Sequence, residues 1–339
     1  MGFLVGRLLG LVPTLAGVVV VTFVLTHLLP GDPAVFFANS VTADAATIAA
    51  VRQKLGLDLP LWQQFFVYVG QLAHGDLGQS ISTGQPVAAD LLQRLPASLE
   101  LTLVAFAIAI AVALPLGIAA ALRPGSLLDH VCRVLSTAGV SLPTFVSGLL
   151  LIYLLYYLLG WAPEPIGRID PFAIMPPRIT GLLLIDTLLA GDTEGFGMAA
   201  RQIVLPAVTM ALFALAPLAR MTRAAMLGVL SSEFIRTARA NGLRRRTIIV
   251  SYALRNALLP IVTTLGMIFS NMLGANVLVE RVFAWPGVGS YALDSLISLD
   301  YAPVQGFMLV MAGIFVLVNF VIDLLYAVID PRTGLLTHA

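Results

Sequence analysis

Six of the chain's nineteen basic residues, Arg236, Arg239, Arg244, Arg245, Arg246 and Arg255, fall in one stretch, EFIRTARANGLRRRTIIVSYALRNALLP (233–260). Ser231-Ser232-Glu233 offers a helix N-cap and an acid at the positive end of the helix dipole, and Gly242 can take the left-handed conformation that closes a helix. Between them Arg236 and Arg239 are three residues apart and share a face, while Phe234, Ala238 and Ala240 leave small or apolar patches. Such arginines can enforce membrane topology and touch anionic headgroups. They can equally form a short stiff knob that docks on a partner protein. The defined length and the alanines favour docking.

The other chemistry-bearing residues build no site. A P-loop needs G-x-x-x-x-G-K-[ST], and the one lysine, Lys54, has no such glycines around it. The chain is therefore not an ATPase. The four histidines, His27, His74, His130 and His338, are scattered and show no i, i+4 metal spacing. His130 and Cys132 give two ligands at most, and the single cysteine excludes an internal disulfide. No G-x-S-x-G nucleophile motif occurs. Neither catalysis nor metal binding by this chain is expected.

The elements that must carry the arginine stretch are membrane helices. The 339 residues are 59% hydrophobic and 11% charged, with mean hydropathy +0.95. Soluble domains are far less apolar. The net charge of +1 gives no bulk field for nucleic acid. Six runs are long enough to cross about 30 Å of hydrocarbon, at roughly 8–29, 99–122, 135–159, 203–222, 257–279 and 305–329. The fourth carries Pro206 and Pro217, tolerable where neighbouring helices or water satisfy the freed carbonyls, and the fifth is expected to begin near Pro260. The positive-inside rule puts the arginine loop, Arg7, Arg123, Arg133, Arg223 and Arg332 in the cytoplasm together with both termini. An all-α integral membrane protein follows, one domain over 1–339. It carries a helical extracytoplasmic cap at 30–97, a second outer loop at 160–202 and a cytoplasmic loop at 223–256. Asp44 is a candidate cap for a helix running to Gly56, and 62–72 repeats apolar residues at helical spacing. The segment 182–192 is too short to span and is expected to lie at the interface or on the cap.

Asp323 is the clear carboxylate inside a span. It is a functional group facing water or a partner, or an anchor near the helix end. In the fifth span Asn271 and Asn276 either line a polar path for solute or hydrogen-bond between helices, with Ser270, Gly274 and Ala275 allowing close packing.

The stretch from Glu233 to Gly242, with Arg255-Asn256-Ala257-Leu258-Leu259-Pro260 after it, resembles the cytoplasmic coupling loop of ABC importer permeases. The form is that of the dipeptide, oligopeptide and nickel permease family. Further similar segments run along the whole chain: Leu29–Pro33, Gly75–Ser80, Glu280–Gly289, Asp300-Tyr301, Asp323–Tyr326 and Asp330–Arg332. The first of the two permease subunits, of the dipeptide type, is the closest likeness. Arg236 stands where the wider ABC pattern has a glutamate, which is usual in the peptide family, and Asn241 replaces a frequent lysine.

The resemblance implies a type I importer fold of six transmembrane helices in the bacterial inner membrane, paired with a second homologous permease subunit. It implies two cytoplasmic ATPase subunits that carry the ATP and magnesium, none being bound by this chain, and an extracytoplasmic substrate-binding protein. Glu233, Arg236, Thr237, Ala238, Arg239, Ala240, Asn241 and Gly242 would form the ATPase-coupling helix. Trp285, Pro286 and Gly287, with Asp323, would be structural or gating residues. The expected cargo is a short peptide. A self-sufficient channel or carrier, and a non-transporting sensor or assembly subunit, are the alternatives.

Overall fold

The computed structural model describes residues 2–28, 45–54, 58–170, 172–173 and 175–329. The motif at Leu29–Pro33, the Asp44 cap, Gly56 and the motif at Asp330–Arg332 lie outside them. The described chain is helical, and no strand occurs in it beyond one isolated bridge between Gln79 and Pro86. The helices are α1 (Gly2–Leu28), α2 (Ala45–Lys54), α3 (Leu61–Ala73), α4 (Val87–Leu122), α5 (Leu127–Ser141), α6 (Thr144–Leu151), α7 (Leu183–Leu189), α8 (Thr193–Leu230), α9 (Glu233–Ala240), α10 (Arg255–Val282), α11 (Val288–Ile297) and α12 (Tyr301–Ile329). A π-helical segment, Ile152–Leu158, extends α6, and Arg245–Thr247 with π-helical Ile248–Leu254 leads straight into α10.

Four helical stretches among the described residues are long and apolar enough to cross a membrane: Val87–Leu122, Thr193–Leu230, Arg245–Gly274 and Tyr301–Tyr326. Shorter apolar stretches, Pro13–Leu25 and Thr144–Leu158, stand at the first and third expected spans. The third differs from expectation because the run 135–159 is not one helix. Leu142 is extended and Pro143 follows it, so α5 stops and α6 starts afresh. Proline disfavours helical backbone in the residue before it, and hydropathy alone does not register that break. The fifth differs in the other direction. Its continuous helical stretch starts at Arg245, fifteen residues before Pro260, which lies inside α10. A proline removes only one backbone donor and displaces the carbonyl four residues back, and the adjoining π-helical turns can take up such a mismatch. Pro206 and Pro217 are likewise carried inside α8. With 38 residues α8 is about 57 Å long, well beyond the hydrocarbon thickness.

The chain divides into two compact units. The first comprises residues 1–98 and 286–316. Phe23 of α1 meets Phe65 edge-on at 5.3 Å and lies 5.8 Å from Tyr68, and His27 reaches Gln64 at 3.1 Å, which seats α3 on α1. The turn at 79–86 is tied down by Asp300. One oxygen of that buried carboxylate accepts from Ser80 Oγ (2.8 Å), Ile81 N (2.8 Å), Ser82 N (3.0 Å) and Ser82 Oγ (3.1 Å). Val87 and Leu91 then pack with Val288 and Tyr291, and Tyr291 donates to Asp90 at 2.8 Å.

The second unit comprises 99–285 and 317–339, with its most extensive helix contact between α8 and α10. Small residues permit the close approaches on which such membrane packing depends. A Cβ on Gly117 would lie 2.7 Å from the Ala219 carbonyl oxygen, and one on Gly266 would meet the tip of Ile322. The irregular stretch before α7 is held by two acids. Glu100 accepts from Arg168 and from Leu184 N, and Asp186 accepts from Thr180 N, Thr180 Oγ1 and Gly181 N. α7 packs on α8. Burial works to raise the Asp186 carboxyl, but its hydrogen bonds from Thr180 and Gly181 prevail and hold it below the usual range.

Candidate functional site

The arginine loop occupies the second unit between α8 and α10. α8 ends at Leu230, Ser232 turns extended, and α9 runs for eight residues, about 12 Å. Its exit follows the sequence logic. Gly242 adopts φ +73, and its amide bonds to Arg239 O while Leu243 N reaches Ala238 O, closing the last turn. Its entrance does not. Ser232 holds the N-cap position, yet its side chain makes no capping bond and donates instead to Val229 O. Glu233 in the first turn supplies the favourable charge and lies 3.8 Å from Arg236.

Two faces of α9 do different work. Ile235 (0% exposed) and Ala238 (5%) turn inward, and the helix packs against the π-helical segment Ile248–Leu254. Glu233, Phe234, Arg236, Thr237, Arg239, Ala240, Asn241 and Gly242 are exposed, with the Arg236 side chain at 83%. Ala238 therefore serves the seat of the helix rather than its outer surface. The sequence marked both alanines as small patches but had no means of telling which faced in. Burying Ile235 contributes about 1.5–3 kcal/mol, which matters because eight isolated residues would not stay helical in water.

The root of the loop is pinned as well. Arg223 near the end of α8 binds both carboxylate oxygens of Asp129, whose Oδ2 also accepts from Gly125 N at 2.9 Å. Asp129 sits in the first turn of α5, whose cap is Ser126. The Arg223 bond and the Gly125 amide hold the Asp129 carboxyl down at about 2. Sequence reasoning counted Arg223 only as a topological charge, and nothing in the local pattern of Asp129 announces a partner 94 residues away.

The remaining singled-out residues are dispersed. Asn276 is buried (2% exposed) and donates to Thr102 Oγ1 at 3.3 Å, joining α10 to α4. Asn271 is exposed. The two asparagines thus do not share a face. Asp323 is half-buried on α12. Trp285 is buried (1% exposed), and its amide donates to Glu280 O at 2.7 Å across Ala284, which is held at φ 50. Pro286 is exposed and Gly287 buried, the latter as the N-cap of α11, where Val288 N donates to Ser98 Oγ at 2.9 Å. Asp300 follows a second left-handed residue, Leu299 at φ 58, with the same closing bond, Asp300 N to Ser295 O. Neither position carries the glycine that would have betrayed it in the sequence. Among the described residues no group of three or more histidine, cysteine, aspartate or glutamate side chains could hold a metal ion.

α9 is thus a short pinned helix with a charged outer face, on the loop between two helices long and apolar enough to cross a membrane. The model of the binding-protein-dependent transport system inner membrane component matches residues 113–335, and that of the N-terminal part of such membrane components matches 1–102. The chain belongs to this family. The permease is 46% identical over 328 residues to the probable D,D-dipeptide transport system permease protein of Escherichia coli K12, covering 97% of this chain and 96% of that one. It is 43% identical over 332 residues to the di/tripeptide transport system permease protein of Pseudomonas aeruginosa UCBPP-PA14, covering 98% of each. A glutathione transport system permease protein of Escherichia coli CFT073 is 36% identical over 331 residues, again covering 98% of each. The permease is thus a multi-pass membrane component of an ABC transport system and, as a member of a family of transport components, not an enzyme.

Proposed function

We propose that this permease forms half of the translocation path for short peptides, dipeptides foremost, in an ATP-driven importer. A second homologous permease subunit supplies the other half. ATP and magnesium act on two cytoplasmic ATPase subunits, and a substrate-binding protein delivers cargo to the outer face. The peptide cargo follows the D,D-dipeptide, di/tripeptide and dipeptide names of near full-length relatives. Six spans with both termini in the cytoplasm are the matching topology, the whole of 1–339 acting as one transmembrane domain. The cap at 30–97 and the loop at 160–202 then face outward, and 223–256 faces the ATPases.

The observation that carries this reading is the two-faced α9. Its inner face is seated by Ile235 and Ala238 on the helix that leads into α10, while Glu233, Arg236 and Thr237 are exposed. A push on the outer face is transmitted to α8 and α10 together, since α9 is joined to one by Ser231-Ser232 and packed on the turns leading into the other. ATP can bias access only through differential affinity for two pore states, and α9 is where that free energy enters. Of the two asparagines, the exposed Asn271 is assigned to the path and Asn276 to helix packing. Trp285 to Gly287 and Asp323 act as structural or gating elements.

The test is reconstitution in liposomes with the partner permease, ATPases and binding protein. ATP-dependent dipeptide uptake that disappears when any one component is omitted supports the proposal. Uptake by the permease alone, without nucleotide, would sink it in favour of a self-sufficient carrier.

A further inference from the structure

A cavity of about 620 Å³ opens beside the seat of α9. Its walls are apolar: Leu122 at the end of α4, Leu227 and Leu230 in the last turn of α8, and Ile248 on the turns leading to α10. Two arginines line it, Arg239 from α9 and Arg245 just beyond Gly242, and no acid does. Neither arginine side chain makes an ion pair or hydrogen bond among the described residues. Glu233, Arg236 and Thr237 lie outside the lining, so the cavity is separate from the outer charged face.

Two uncompensated guanidinium groups over a leucine-lined hollow ask for a ligand that is anionic at one end and apolar at the other. A water-soluble anion would leave the leucines bare, and a neutral apolar molecule would leave the arginines unpaired. Guanidinium forks match phosphate oxygens in geometry as well as charge. Position agrees with composition. The cavity lies at the ends of α4 and α8, two helices long and apolar enough to cross a membrane. Its volume is in the range of sites that enclose small organic ligands.

We propose that this cavity is a binding site for an anionic phospholipid. The phosphate pairs with Arg239 and Arg245, and the upper acyl chain lies against Leu122, Leu227, Leu230 and Ile248. Because Arg239 belongs to α9, the bound lipid steadies that helix from the membrane side and makes its seating sensitive to the anionic lipid content of the bilayer.

The test uses the purified full-length chain in detergent, titrated with phosphatidylglycerol and, separately, phosphatidylcholine of identical acyl chains, and read by native mass spectrometry. Each arginine beside an anionic headgroup is worth about a fivefold change in affinity. Phosphatidylglycerol should therefore bind more tightly than phosphatidylcholine, and Arg239→Gln with Arg245→Gln should weaken it about 30-fold. The outer-face control Arg236→Gln should bind as the wild type does. Leu230→Trp, which fills the hollow and leaves both arginines in place, should lower occupancy by either lipid and serves if the double variant does not fold. Equal affinity for the two lipids, or an unweakened double variant, refutes the proposal. Displacement of the lipid by equimolar inorganic phosphate would show an anion site without lipid character. Loss of the lipid when the ATPases assemble would show that the cavity is a seat for protein, and either result overturns the proposal.

Discussion

Replacing Ile235 with alanine separates the seating of α9 from its outer surface. The side chain is fully buried, and Ala238, the other inward residue, contributes one methyl group, worth about 0.8 kcal/mol. An isoleucine-to-alanine change in a closed core costs about 2–5 kcal/mol, the transfer term plus the cavity left behind. That is most of what holds a two-turn helix that has no independent stability. The cost should appear locally. Amide hydrogen exchange in 235–243 should accelerate at least about 30-fold while α8 keeps its protection. In the assembled importer, uptake should fall even though Glu233, Arg236 and Thr237 are unchanged. Exchange within threefold of the wild type would show that Ile235 does not seat the helix, and an equal loss of protection throughout α8 would mean that α9 is no separate unit.

Gly117→Ala should destabilise by about 1–3 kcal/mol in a detergent melt and Gly266→Ala by less, because the first new methyl meets a backbone carbonyl and the second a movable isoleucine tip; the reverse order would contradict this packing. Ala284→Gly should stabilise the fold by up to about 1 kcal/mol and so raise the melting temperature, since alanine there carries the cost of a left-handed backbone; a lowered melting temperature would show that the methyl group matters more than the strain. The Asp129–Arg223 pair should stabilise fully above the ordinary carboxylate value of about 4 and lose its contribution as pH falls towards about 2, because the folded carboxyl is the lower of the two. Asp129→Asn should remove that acid-limb dependence, which pH-resolved melts of the two proteins would show.

What the sequence made legible was what neighbouring residues decide. The limits of α9 could be read because Glu233 and Gly242 act within their own turn. The membrane runs could be read because hydrocarbon demands length and apolarity. Two breaks were read less well, since proline acts in context: Leu142-Pro143 stops a helix inside an apolar run, while Pro260, expected near a helix start, is carried inside one. The partners of the buried acids were out of reach. Glu100 finds Arg168, Asp129 finds Arg223 and Asp300 finds the 80–82 turn across 68, 94 and up to 220 residues, choices made by the tertiary fold. The inward turn of Ala238 and the burial of Asn276 against Thr102 became visible only once neighbouring helices were in place.

The central claim, that the outer face of α9 meets an ATPase, is tested most directly by cross-linking. The sole cysteine, Cys132, is buried, so Thr237→Cys introduces a single reactive thiol on the exposed face. In the assembled, transport-competent complex a short thiol–amine cross-linker at position 237 should capture an ATPase subunit, with a yield that changes between ATP-bound and nucleotide-free states, while Arg178→Cys should capture none. An active complex in which position 237 never cross-links to an ATPase in either state would contradict the account.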